Sequence, residues 1–109
     1  MTTSPATNRE PIESLLVKED PSFAELVDLF LAGLPERIQT MERAVREADF
    51  DALRIAAHQL KGCGAGYGYP ILTQHAAELE TQALQRQLED CAGSLGQLKD
   101  LCGRVVTTR

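Results

Sequence analysis

The chain has 109 residues, 43% of them hydrophobic and 25% charged, enough for one small core and too few for two. Eleven Lys and Arg against sixteen Asp and Glu leave a formal charge of -5, and no basic cluster is long enough to neutralise several phosphates, which argues against nucleic acid as a partner. No apolar run approaches the ~20 residues of a bilayer span, and the first ten residues lack the apolar centre of a signal peptide, so a cytoplasmic protein with no membrane contact is expected.

Aromatic residues make up only 5% and Trp is missing, while Leu, Ala, Glu, Gln and Arg prevail, a balance that favours helix over sheet. Cys63, Cys91 and Cys102 form neither a CxxC pair nor a zinc-spaced set with His, so reduced, half-buried thiols are expected.

Met1 to Asn8 are polar and aperiodic, so residues 1–10 read as a flexible tail ahead of a helical domain over residues 11–107. Ile12, Leu15, Leu16 and Val17 suit a short helical turn capping one end of the domain. Ser22 and Glu25 have capping-box spacing just before an apolar series, Phe23, Leu26, Val27, Phe30, Leu31, Leu34, Ile38, Met41, Ala44, Val45 and Ala48, which occupies one arc of about 140° at helical pitch. Because the phase survives Gly33 to Pro35, one long helix kinked there is predicted, ending at Asp49 to Asp51, which cap the next.

From Asp51 a second helix buries Leu53, Ala56, Ala57, Leu60, Gly64 and Tyr67 and is closed by the run Gly62, Gly64, Gly66, Gly68 and Pro70, with Tyr67 and Tyr69 anchoring the turn. A third, from Pro70 to about Gln85, turns Leu72, Ala76, Leu79 and Ala83 inward and Gln74, Glu78, Thr81 and Gln85 outward. A fourth carries Leu88, Cys91, Ala92, Leu95, Leu98, Cys102 and Val105. The expected fold is all-α, an antiparallel up-down four-helix bundle with a short N-terminal helical segment.

His58 falls about 140° from Leu53 on the helical wheel and should face solvent, with Lys61 one turn on and little bulk at Gly62 and Ala65. A histidine in such a clearing can act as a nucleophile toward a large partner, with Lys61 offsetting an anion. The same placement also fits an ordinary exposed histidine beside an ordinary lysine.

The segment AHQLKGCGAGYGYPILTQHAAELE, Ala57 to Glu80, resembles the histidine-containing phosphotransfer (HPt) domain of multistep phosphorelays. The resemblance rests on His58, Leu60, Lys61, Gly62, Gly68, Leu79 and Glu80, and more loosely on LPERI at Leu34 to Ile38. It implies a helical bundle whose His58 accepts a phosphoryl group from a receiver-domain aspartate and passes it to another, without kinase activity or a cofactor of its own, Mg²⁺ residing in the receiver. Response-regulator receivers and a hybrid sensor histidine kinase are the implied partners. Lys61 becomes the charge that supports the phosphate, and Gly62 the clearance for docking alongside Arg54, Gln59 and Ala65. Glu80 occupies the place from which a polar side chain can accept the Nδ1 proton and leave Nε2 free, although a solvated charge fits there equally well.

The alternating glycines leave two readings open, a helix that frays early or a backbone packed close to a neighbour. They do not make a phosphate-binding loop, since no Lys-Ser or Lys-Thr follows at P-loop spacing. His75 with Glu78 lacks the further inward Glu residues of a di-iron bundle, and His75 is expected to be exposed. A bundle that only scaffolds a signalling partner is the rival from another class. Polar outer faces favour a monomer.

Overall fold

The computed structural model describes residues 10–107. Met1 to Asn8, read as a tail, lie outside the described residues. The described chain is mostly helical, as its composition favours. Six α-helices follow in order: α1 (Leu15–Glu19), α2 (Ala24–Ala32), α3 (Leu34–Arg46), α4 (Phe50–Gly64), α5 (Pro70–Leu84) and α6 (Leu88–Cys102). Helices α3 to α6 make a ring of packed neighbours, in which α4 against α5 is the most extensive contact, α5 meets α6, and α3 touches both α4 and α6. The interior is filled by Met41, Leu53, Leu60, Leu72, Leu79, Leu98 and the ring of Tyr69, all fully buried.

The start of the chain departs from the sequence-based expectation. Ile12–Glu13 form a two-residue strand, β1, paired in parallel with β2 (Val105–Val106), so Ile12 lies outside the predicted helical turn and Val105 outside the predicted last helix. Gly103 stops α6, its N–H donating to the carbonyls of Lys99 and Asp100 at 3.1 Å, and the β-branched pair beyond it finds a ladder partner. The core face of α6 is Cys91, Ser94, Leu95, Leu98 and Leu101, while Leu88 and Ala92, expected inward, are exposed. The three thiols are free, and burial pushes that of Cys102 up to about 11.

The predicted Ser22 and Glu25 box does not form. Asp20 takes the capping role, its Oδ1 accepting the Ser22 N–H at 3.0 Å and hydroxyl at 2.7 Å, because Pro21 has the fixed φ of a first helical residue and starts a 3₁₀ turn over Pro21–Phe23. At Gly33 the expected single kinked helix is instead two helices one residue apart. Pro35 has no N–H to offer, and the Gly33 N–H turns back to the Phe30 carbonyl at 3.1 Å, a tighter 3₁₀-type bond that closes α2. The apolar face nevertheless runs on through the break, with Val27, Phe30, Leu34, Ile38, Met41 and Ala44 all buried.

Candidate functional site

Asp49 opens α4 by accepting the Ala52 N–H at 3.1 Å, as its position before the apolar pattern leads one to expect. Leu53, Ala57, Leu60 and Gly64 then face inward, which turns His58 outward with its side chain 62% exposed. Helix α5 packs on α4 in the most extensive contact of the bundle, and Ala57 on α4 and Ala76 on α5 have no exposed surface.

Gly64 brings the two helices close: a Cβ there would lie 2.9 Å from Thr73 Oγ1 and 3.1 Å from Leu72 Cβ. Thr73 uses the space to bind the α4 backbone, its hydroxyl donating to the Lys61 carbonyl at 2.9 Å and accepting the Ala65 N–H at 2.8 Å. Past this point the chain tightens into a 3₁₀ turn, Ala65–Tyr67, and reverses at Gly68 with φ +98°. A side chain at 68 would be strained and would collide with Ser14 and the amides of Leu15 and Leu16. Gly62 and Gly66, by contrast, face open space. The alternation thus divides into two tightly packed glycines and two open ones. Tyr67 and Tyr69 do anchor the turn, the first stacked on Phe30 at 4.4 Å, the second bonded to the Val106 carbonyl at 2.6 Å.

Two turns beyond Thr73 on α5, Glu80 reaches the same edge of α4. Its Oε2 lies 2.8 Å from His58 Nδ1 and its Oε1 2.7 Å from Lys61 Nζ, so one carboxylate joins both groups. The Glu80 side chain is only 14% exposed and that of Lys61 35%. The hydrogen bond from Lys61 above all, reinforced by that from His58, holds the Glu80 carboxyl below its ordinary value of 4.5 against the opposing effect of burial. An ionised carboxylate only accepts, so the proton of a neutral His58 sits on Nδ1 and the lone pair on Nε2.

His58, Lys61 and Glu80 are therefore one cluster, in which the contact of Glu80 with the imidazole is the one the family resemblance implies. The pairing of Lys61 with Glu80 and the role of Thr73 were not foreseen. The sequence offers Lys61 only an incoming anion as a partner, and Thr73 is marked by its two-turn spacing from Glu80. Gln59, Gly62 and Ala65 are exposed on or beside the histidine face, and Arg54 is half-exposed one turn before it. His75, expected exposed, is half-buried with Nδ1 enclosed and unpartnered. No cluster of three or more potential metal ligands occurs among the described residues. Grooves between α3 and α6 and between α5 and α6 are not lined by His58, Lys61 or Glu80, and the imidazole itself is open to solvent.

Residues 25–108 match the family model of the Hpt domain. No curated protein and no solved structure gives a significant match. No helix among the described residues is long and apolar enough to cross a membrane.

Proposed function

The chain belongs to the Hpt domain family, whose members carry phosphoryl groups between receiver domains and kinases of phosphorelays, and from that premise we propose that His58 is the phosphoryl acceptor. The observation that carries the reading is the bond between Glu80 and His58 Nδ1 on an imidazole that is otherwise exposed. It favours the tautomer whose lone pair is on Nε2, the nucleophilic nitrogen, on a side chain open to solvent.

In the transfer, the Nε2 lone pair attacks the phosphorus of a receiver aspartyl phosphate. The P–N bond forms as the P–O bond to the aspartate breaks, and the aspartate leaves as a carboxylate. The imidazole keeps its Nδ1 proton and becomes cationic, and Glu80 stabilises that charge. Return to a second receiver aspartate runs the same steps backwards. Lys61 faces the new dianion one helical turn from the imidazole and supports it. Mg²⁺ belongs to the receiver, where it neutralises the phosphoryl oxygens.

Docking uses the face around His58, with Gly62 as clearance and Arg54, Gln59 and Ala65 at its margin, on a monomeric, antiparallel four-helix scaffold. The order of contacts between α4 and α5 supports that direction: Thr73 meets Lys61 and Ala65, and the later Glu80 meets the earlier His58 and Lys61. A hybrid sensor kinase supplies the phosphoryl group through its receiver, and a response regulator takes it.

Phosphoramidate supplies a phosphoryl group without any partner. Intact mass and peptide mapping of wild type should find one acid-labile phosphoryl group on His58, and His58→Gln should take none. A folded wild type that takes no label would reject the acceptor role and favour a scaffold.

A further inference from the structure

The Thr73 hydroxyl occupies an unusual position. In a regular helix the Ala65 N–H would donate directly to the Lys61 carbonyl, four residues back. Here the hydroxyl lies between them, accepting from the first at 2.8 Å and donating to the second at 2.9 Å. A side chain from a neighbouring helix has been inserted into the hydrogen-bond ladder of α4, a known cause of local change in helix path, and α4 ends there and passes into the 3₁₀ turn.

The insertion is made possible by Gly64, since any Cβ at that position would press on the hydroxyl and on the Thr73 amide. It falls within one turn of the site. Lys61, whose carbonyl is held, is the same residue whose ammonium reaches Glu80, and Glu80 in turn holds His58. Seven residues separate Thr73 from Glu80, which returns the helix to nearly the same angle, so one stripe of α5 grips α4 at two points. Thr73 grips by backbone and Glu80 by side chains.

We propose that Thr73 is a positioning residue for phosphoryl transfer, its hydroxyl fixing the backbone turn that carries Lys61 and so setting the place of the ammonium relative to the phosphoryl group on His58. This rests on His58 being the acceptor. Thr73 touches neither the imidazole nor the phosphate and acts only through Lys61. The β-methyl group contributes packing and the hydroxyl contributes the positioning, so the two parts are separable by substitution.

The test is the initial rate of phosphoramidate labelling in the full chain, measured for wild type, T73V, T73S, K61A and the K61A/T73V double variant, with folding checked by circular dichroism. T73V should label about tenfold more slowly, the scale of a small misplacement of a charge near the reacting centre. T73S should stay within about twofold of wild type, and adding T73V to K61A should cost nothing further, because two changes acting through one group do not add. If T73V fails to fold, T73A carries the same comparison. Wild-type labelling with an unchanged rate in T73V or T73A, or an equal loss in the K61A background, overturns the role of Thr73 alone. A folded wild type that takes no label overturns the acceptor reading and this proposal with it.

Discussion

Two of the seams at which polar groups join distant parts of the chain are built on opposite terms. At the α4 and α5 edge, His58, Lys61 and Glu80 are charged or chargeable, and the imidazole is open to water. At the other seam the groups are neutral and wholly or partly buried. The hydroxyl of Ser14, which has no exposed surface, donates to the Tyr67 carbonyl at 2.7 Å and accepts the Val17 N–H at 3.2 Å, and the Leu15 N–H donates to the Gly68 carbonyl at 2.9 Å. Tyr69 closes it with its bond to Val106, and burial together with the nearby Asp28 carboxylate pushes its phenol up to about 12. A buried neutral contact is felt in stability when removed, because its partner is left without water. An exposed charged one contributes little to stability and stays available to a visitor. Shape and chemistry are thereby assigned to different seams.

That division can be broken by substitution. The largest effect should come from Gly62→Leu, which fits the fold because a Cβ at 62 meets nothing, yet fills the ground above the histidine. Transfer from a receiver should fall by roughly a hundredfold or more, the scale set by lost docking geometry, while urea unfolding stays near wild type and phosphoramidate labelling persists. Normal transfer from the receiver would place docking elsewhere.

Gly68→Ala acts at the other seam, adding a side chain at φ +98° against Ser14. About 2–4 kcal/mol should be lost in urea unfolding, with labelling of His58 retained in the folded fraction. Tyr69→Phe removes one bond of the same seam and should cost about 1–2 kcal/mol by the same measurement, with the labelling rate unchanged.

The smallest effect tests the charged seam for stability. Glu80 has its native value below the ordinary 4.5, so it binds protons more weakly folded than unfolded. Its contribution is complete above that ordinary value and is lost as pH falls through the lowered native one. Wild type should therefore exceed Glu80→Gln by no more than about 1 kcal/mol at neutral pH, and the gap should close in acid, as urea titrations from pH 7 to 3 would show. A gap that is constant with pH would mean that Glu80 acts by packing rather than by charge.

The core faces of α3, α4 and α5 were legible because each keeps one helical period over several turns, and burial follows that period whatever the neighbours. His58 and Glu80 were legible as partners through the family resemblance, not through periodicity. What escaped depends on partners far along the chain. Ile12 and Val105 have helix-compatible spacing, and only their mutual pairing makes them strands. The alternating glycines could not be divided into packed and open ones without knowing that Thr73 and Ser14 approach two of them. Asp20 won over Ser22 as a cap because Pro21 sets the first helical φ, a local rule overshadowed by the tidier capping-box spacing.

The strand pairing has a consequence in time. Arg104 Nε donates to the Glu10 carbonyl 94 residues away, and β1 meets β2 beside it, whereas His58 and Glu80 are separated by only 22. Closing the longer loop costs more entropy, and contacts of low sequence separation form sooner. During refolding the helical hairpin that carries His58 and Glu80 should therefore assemble first and the pairing of β1 with β2 last. Pulse-labelled amide exchange should show Leu60 and Leu79 protected before Ile12.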